Sequence, residues 1–254
     1  MAFVQRIDNG TYLTVTDDDL TDLYAYPAEL HSPWIRVNFV AGIDGAVSQD
    51  GVSGGLGTPA DKAVFGELRS LADAVLVGSG TVTAENYGGV EVSDAVRAAR
   101  TARGQSEVPP IVVVTGSASV DPESTVVTGA EVPPIVLTTS HAPEDKVQAL
   151  RDAGLTVVRA DGDLTGDVVV ALLQDLGLQR VLCEGGPGLF GSLLAADVVD
   201  ELCVTTSPTL SAGTSGRMAT SDAAVDRPMT PGHILLDNDG TILVRWVRAR
   251  EMAR

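Results

Sequence analysis

Two hydrophobic patterns alternate along this chain. Short runs rich in Val, Ile and Leu predict strands over residues 35–41, 74–78, 111–115, 135–138, 156–158, 180–183, 201–206 and 242–247. Several of these runs lack alternation, the pattern of strands covered on both faces. Between them lie amphipathic segments with readable starts and stops. Thr58-Pro59 opens a helix that runs to about Leu71 and turns Ala60, Val64, Leu68 and Leu71 to one side. Pro143-Glu144 opens a second, ending near Gly154. Thr165 caps a third, with Val168, Ala171, Leu172 and Leu176 inward and Gly177 just past its end. Residues 93–103 read as helix, and the acidic segment 14–27 as a short capped helix stopped by Pro27. The Gly-, Ser-, Thr- and Asp-rich stretches 116–131 and 208–231 read as surface loops. Strands alternating with helices predict an α/β fold on a central mixed, mostly parallel sheet flanked by helices. No long linker or repeat interrupts it, so the 254 residues divide into an N-terminal extension, 1–30, and one domain, 31–254.

Composition narrows the function more by exclusion than by suggestion. Thirty-four acids against seventeen bases give a net charge of −17, which repels phosphate backbones and anionic lipid heads, so neither nucleic acid nor membrane is expected as a partner. No run approaches the roughly 18 apolar residues of a membrane span, and the N-terminus lacks a basic-then-apolar leader pattern; the expected compartment is the cytoplasm. Cys183 and Cys203 sit inside apolar runs and read as buried free thiols, with no C-x-x-C metal site. Arg97, Arg100 and Arg103, spaced by three, form a basic stripe whose ordinary role is a solvated face pairing with local acids and whose alternative role is to hold a phosphate.

Three segments carry candidate chemistry. R-V-L-C-E-G-G-P-G-L-F-G, residues 180–191, is a buried strand, two glycines, a proline suited to a first helical turn, then an apolar helix. Such a helix end binds a pyrophosphate without Lys or Arg, and equally serves as a bare strand-to-helix turn. Residues 72–87 run from a second buried strand into Gly78-Ser79-Gly80-Thr81, where position 83 is Thr, so the dinucleotide fingerprint G-x-G-x-x-G is absent. Thr81 offers a hydroxyl to a phosphate or ribose and Glu85 an acceptor for ribose hydroxyls, or they are a cap and a solvated acid. The third, residues 36–51, ends in Ile43-Asp44-Gly45, where Asp beside Gly usually means turn chemistry. Just beyond it, Gly51-Val52-Ser53-Gly54-Gly55 fits the G-x-S-x-G of serine hydrolases, with His141 and His233 downstream. A nucleophile elbow needs a strand immediately before Ser and a helix immediately after, whereas five residues separate Ser53 from Pro59.

In this order and spacing the segments resemble the reductase domain of riboflavin biosynthesis, a family with the dihydrofolate-reductase-like fold. Its S-L-D-G is matched by Gly42-Ile43-Asp44-Gly45, and its helix ending in L-R by Leu68-Arg69 ahead of the strand at 74–78. Its G-x-x-T-V-x-x-D is matched from Gly78 to Glu85, its E-G-G-P-x-L from Glu184 to Leu189, and its V-D-E-L from Val199 to Leu202. The resemblance implies an NADPH-dependent reductase of a small-molecule substrate, a phosphorylated ribosylamino-pyrimidine, working as a homodimer. It implies that Thr81, Glu85 and the turn of Gly185, Gly186, Pro187, Gly188, Leu189, Phe190 and Gly191 contact NADPH, with Val40 beside the nicotinamide. Ser53, Arg69 and Glu184 would face the substrate. Glu184, accepting hydrogen bonds from the pyrimidine, and Asp44, orienting ribityl hydroxyls or relaying a proton, are the catalytic candidates. Three departures stand out. Glu85 replaces the usual Asp, Gly54-Gly55 follows Ser53 where a Trp is common, and residues 84–92 lack an arginine expected near the substrate phosphate. The zinc deaminase motifs that often precede this domain are also absent, so the expectation is a standalone reductase or a paralogue acting on another imine such as a dihydropterin.

Overall fold

The computed structural model describes residues 4–8, 11–49 and 51–249; Asp50 and the remaining terminal positions, including 1–3 and 9–10 of the expected extension, lie outside the described residues. In chain order the elements are β1 (Val4–Asp8), β2 (Thr11–Val15), α1 (Asp17–Leu23), β3 (Trp34–Gly42), a 3-10 turn (Gly54–Leu56), α2 (Pro59–Leu71), β4 (Ala74–Gly78) and α3 (Ser79–Ala84). There follow α4 (Asp94–Ala102), β5 (Ile111–Val114), α5 (Thr125–Thr128), β6 (Ile135–Thr139), α6 (Glu144–Asp152), β7 (Thr156–Ala160) and α7 (Gly166–Asp175). The chain closes with β8 (Arg180–Cys183), α8 (Pro187–Ala195), β9 (Val199–Ser207), β10 (Met229–Asp237) and β11 (Ile242–Arg248).

All the described strands share one sheet, ordered β2-β1-β10-β11-β9-β3-β8-β4-β5-β6-β7. From β9 to β7 every neighbouring pair is parallel, and from β9 outwards through β11, β10, β1 and β2 every pair is antiparallel. The fold is thus α/β and mostly parallel, as the run pattern predicts. Strands β4 to β7 are laid outwards from β3, and β8 then returns to lie between β3 and β4. At that reversal connections leave on opposite faces, and the carboxyl ends of β3, β8 and β4 open onto a crevice, the place where sheets of this kind bind ligands.

Packing follows the sequence pattern closely in the parallel half. β4 and β5 are buried along nearly their whole length, which is why their runs do not alternate. Leu150 and Val147 of α6 pack on Val75, Val113 and Val136 of one face, where Leu68 and Val64 of α2 also cover Leu182 and Leu235. On the other face Val169 and Leu173 of α7 and Leu193 of α8 cover Leu76, Val112 and Val181. The expected inward residues of α2 are all buried. In α7 the fully buried positions are Gly166, Val169 and Leu173, while Leu172 and Leu176 of the expected set are half-buried against the same core, Val168 is half-buried and Ala171 is exposed. A Cβ on Gly166 would lie 2.7 Å from the Ser192 carbonyl, so glycine there lets α8 approach. Thr165 occupies the N-cap position but makes no capping bond to α7.

Three strands escape the sequence reading. β1 and β2 lie in the segment expected as an extension, which pairs through β1 to β10 and so joins the main sheet. β10 starts at Met229-Thr230-Pro231-Gly232, inside an expected loop. Pro231 is tolerated because β1 pairs only with the later part of β10, Leu235 to Asp237, so the missing N–H falls where the strand is an edge, next to a bulge.

The N-terminal segment is held by buried charge. Arg36 of β3 and Glu201 of β9 are register partners with no solvent exposure, and Arg36 Nε donates to Glu201 Oε2. Arg245 of β11 donates through Nε to Glu201 Oε1 at 3.0 Å and through Nη1 to the Leu23 carbonyl at 3.0 Å, while Arg36 stacks on Tyr26 at 3.9 Å. Two guanidiniums on one carboxylate leave a buried positive excess, and His233 lies near it, edge-on to Tyr24 at 4.7 Å. Burial first, then Arg245 and Arg6, push the imidazole down to about 4 from 6.5, with Glu201 opposing. The folded chain therefore takes up this proton later than the unfolded chain as pH falls. Stability from His233 is intact above about pH 6.5 and is lost as pH falls towards 4. His233→Phe is expected to flatten the pH dependence of unfolding free energy in this window by up to about one proton; urea midpoints from pH 7 to 4 measure it, and an unchanged slope assigns the titration to other groups.

Candidate active site

A cleft of about 1100 Å³ lies over the carboxyl ends of β3, β8, β4, β5 and β6. That volume lies at the upper end of the roughly 300–1,000 Å³ of ordinary ligand pockets. Its floor is made where two strand-to-helix turns meet. Gly78, ending β4, donates its N–H to the Gly185 carbonyl at 2.8 Å, and Glu184 N donates to the Leu76 carbonyl at 2.9 Å. A Cβ on Gly186 would stand 2.4 Å from Thr81 Oγ1, so with Thr81 in this rotamer glycine is what lets the two turns close. Gly185, at φ +97°, takes the left-handed backbone that glycine alone adopts freely, under the ring of Phe39. Pro187 then starts α8, whose first N–H groups, those of Gly188 and Leu189, have no carbonyl within their own helix and border the cleft. That end favours an anion through its unpaired donors and its partial positive charge.

A fork-to-fork ion pair forms another part of the wall. Arg69, in the last turn of α2, donates through Nε and Nη2 to the two oxygens of Glu184, both at 2.8 Å. The same Nη2 donates to Tyr87 Oη at 3.0 Å, and the guanidinium lies 4.3 Å over the Phe65 ring. Burial works against the Arg69 charge, but Glu184 beside it holds the guanidinium pKa above its usual value. The two residues expected to bind substrate separately are therefore one unit. Each carboxylate oxygen keeps a second lone pair for a ligand N–H, and the Tyr87 hydroxyl, accepting from Arg69, keeps its proton to donate.

Other expected residues divide between cleft and scaffold. Val40, Ser53, Thr81, Glu85, Gly186, Pro187, Gly188 and Leu189 line the cleft with Arg69 and Glu184. Phe190 is instead buried and stacks on Phe39 at 5.6 Å, and Gly191 turns to the 220 segment, where a Cβ would stand 1.8 Å from the Thr220 carbonyl. Asp44 is a correction. Its Oδ2 accepts Ser211 N at 3.0 Å and Ala212 N at 2.8 Å and its Oδ1 accepts Ala46 N at 3.3 Å; it clamps the 208–216 loop and does not line the cleft. Those N–H bonds, that of Ala212 first, hold its carboxyl below the usual range, the wrong direction for a proton relay near neutrality. Glu85 spends Oε1 on Ser53 N at 2.8 Å, fastening the loop after β3 to α3. Two members of the basic stripe of α4 behave as a solvated face, Arg97 pairing with the local acid Glu131 and Arg103 lying exposed, whereas Arg100 is fully buried and spent on main-chain carbonyls. Ser53 has no hydrolase partner, since no histidine lines the cleft among the described residues and His233 is buried elsewhere.

Asn38, Asp61, Lys62, Phe65, Tyr87 and Asp163 are among the other lining residues and were not singled out from the sequence. The first sits one strand period from Val40. Lys62, Phe65 and Arg69 follow helical spacing along the edge of α2 not taken by Ala60, Val64 and Leu68, and that spacing was the available signal.

Comparison with known proteins agrees with this geometry. The 2,5-diamino-6-ribosylamino-4(3H)-pyrimidinone 5′-phosphate reductase of Archaeoglobus fulgidus is 28% identical over 177 residues, covering 69% of this chain and 80% of its own length. The riboflavin biosynthesis protein RibD of Mycobacterium tuberculosis is 29% identical over 183 residues, 71% of this chain but 44% of that longer protein. Among solved structures, a pyrimidine reductase-like protein from Corynebacterium diphtheriae superimposes with a TM-score of 0.83 at 25% identity, covering 93% of this chain and 100% of its own. The RibD C-terminal domain model matches residues 33–243, and the chain belongs to that family.

Proposed function

We propose that this protein is an NADPH-dependent reductase of a ribosylamino-pyrimidine 5′-phosphate in riboflavin biosynthesis. The observation that carries the reading is a single cleft with two unlike walls. One is a glycine-lined helix end that suits a pyrophosphate, and the other is a hydrogen-bonding unit of Arg69, Glu184 and Tyr87 that suits the edge of a polar heterocycle. Gly186, Gly188, Leu189 and Thr81 would hold the cofactor's phosphates, and Val40 and Phe39 would flank its nicotinamide. When bound, the dinucleotide supplies the hydride for C1′ of the ring-opened imine. The chain's own contribution is positioning: it fixes donor and acceptor carbons at near-attack distance and shields them from water. Glu184 accepts N–H bonds from the pyrimidine and so favours the cationic imine that receives hydride. Arg69 holds that carboxylate in place, and the Tyr87 hydroxyl, accepting from Arg69, is left to donate to the substrate.

Turnover of the aminopyrimidine phosphate with NADPH, against NADH and a dihydropterin as controls, tests the reading directly. Turnover of the dihydropterin alone would reassign the substrate, and no oxidation of either cofactor would remove the enzyme. Glu184→Gln leaves Arg69 without its charge partner and is expected to lower kcat/KM about ten- to a hundredfold with cofactor affinity nearly unchanged. A wild-type rate in that variant would dismiss the Glu184 role. Gly186→Val is expected to weaken NADPH binding by at least about tenfold while the far-ultraviolet circular dichroism stays native, because the side chain fills the space between the turns; equal affinity by calorimetry would move the pyrophosphate elsewhere.

The homodimer belongs to this proposal as well. On the sheet face not covered by α1 and α2, Leu202 and Val204 of β9, Trp246 and Val244 of β11, and Ile234 and Leu236 of β10 form one half-exposed apolar row, fixed by their pairing register. A second copy supplies the simplest cover for such a row. Light scattering at micromolar concentration should give twice the chain mass and Val244→Asp the single mass; a wild-type monomer would end the dimer proposal.

A further inference from the structure

A substrate ending in a phosphate needs a cation in the cleft, and the arginine that the family resemblance leads one to expect is missing. Among the described residues two cationic side chains line the cleft, Lys62 and Arg69. Arg69 is committed on both sides of its fork to Glu184. The α4 arginines are spent elsewhere: Arg97 on Glu131, Arg100 on the carbonyls of Ser70, Ala72 and Ser106, and Arg103 on the carbonyl of Ser70. Lys62 forms no ion pair within 4 Å among the described residues; the adjacent Asp61 bonds Thr205 on β9 but also lines the cleft, its Oδ2 3.3 Å from where a Gly57 Cβ would stand, so its carboxylate borders the same loop.

We propose that Lys62 and the loop 53–57 form the seat for the substrate's phosphate, in place of the missing arginine. This rests on the reductase reading above and deepens it. Lys62 and Arg69 lie on one edge of α2 seven residues apart, about 10 Å along the axis, which is about the reach of a ribosyl 5′-phosphate from the base that carries it. The Lys62 arm runs along the loop, its Cε 3.8 Å from where a Gly57 Cβ would stand. Gly54 has no atom within 4 Å of its own Cβ position, which leaves open space beside Ser53, whereas at Gly55, where a Trp is common in the family, Gln49 Oε1 stands 2.8 Å from the Cβ position and takes up part of the room. Ser53 gives its N–H to Glu85, and its hydroxyl is left for a ligand; the N–H groups that open the 3-10 turn have no carbonyl in that turn. In a chain of net charge −17, a dianionic group is repelled by the average surface, so a local cation with backbone donors decides whether it binds.

The test uses ribose 5-phosphate as the probe on protein saturated with NADPH, with ribose as control, by calorimetry. Wild type should prefer ribose 5-phosphate to ribose. Lys62→Gln should weaken ribose 5-phosphate about ten- to a hundredfold without affecting ribose, and Lys62→Arg should restore most of the affinity. In turnover of the aminopyrimidine phosphate the loss from Lys62→Gln should fall on KM rather than kcat. Undiminished binding of ribose 5-phosphate by Lys62→Gln, equal loss for ribose, or a wild type blind to the phosphate would each overturn the seat. If the wild type reduces no aminopyrimidine yet shows the Lys62-dependent preference, the reductase reading falls and the phosphate seat stands.

Discussion

The contact between the β4–α3 turn and the β8–α8 turn is made by backbone alone. Gly78 donates across to Gly185, Glu184 donates back to Leu76, and Thr81 occupies the space a side chain on position 186 would need. Because β8 follows β4 to β7 in the chain yet lies between β3 and β4, two strands that are neighbours in sequence, its turn must fit a gap whose width is set by the strand spacing. Everything functional hangs on this fit. It aims the first N–H groups of α8 at the cleft, and it delivers Glu184 to the end of Arg69's reach. Phe39 closes the underside, trapped between Gly185 and Phe190. A glycine-rich strand-to-helix turn is therefore a packing requirement here before it is a binding motif, and the two roles use the same atoms.

The parallel half of the sheet and its helices were legible because local and global preferences agree there. Val-rich runs are buried on both sides, and Thr58-Pro59 and Ser93 start helices where their side chains accept backbone N–H groups. The antiparallel half was less legible, although Asn9-Gly10 between β1 and β2 is a strong hairpin dipeptide and went unused. β10 was hidden by Pro231 and Gly232, whose cost vanishes only once β1 is known to stop short of them. Within the site, the glycines, Arg69 and Glu184 were found by motif order, but their pairing was not, since it depends on α2 ending beside β8. Asp44 misled for a related reason: a carboxylate after a strand end looks the same in sequence whether it meets a substrate or the N–H groups of a loop 167 residues away.

Charge is distributed in this protein by a division of labour that the total conceals. The acids are spread over the surface, while several of the arginines are drawn inside and used as multivalent donors: Arg36 and Arg245 on Glu201, Arg69 on Glu184, Arg100 on main-chain carbonyls. A buried ion pair is a weak source of stability but a strict one in geometry, since removing either partner strands the other. Glu201 in particular fixes how β3, β9 and β11 sit relative to one another, and it holds Arg245, whose Nη1 donates to the Leu23 carbonyl where the N-terminal segment docks.

Arg100 carries a consequence for how this protein's variation would be interpreted. Its guanidinium takes the carbonyls of Arg69, Ser70 and Ala72 at 3.3, 2.9 and 2.6 Å, and so ends α2 in the manner of a built-in C-cap supplied by a different helix. Burial and Arg103 lower its pKa to about 10, which still leaves it charged at neutrality. The last turn of α2 is also the turn that presents Arg69 to the cleft. In a map of tolerated substitutions, position 100 would cluster with the active-site residues although it lines no part of the cleft, and a survey that ranks positions by distance to ligand would overlook it.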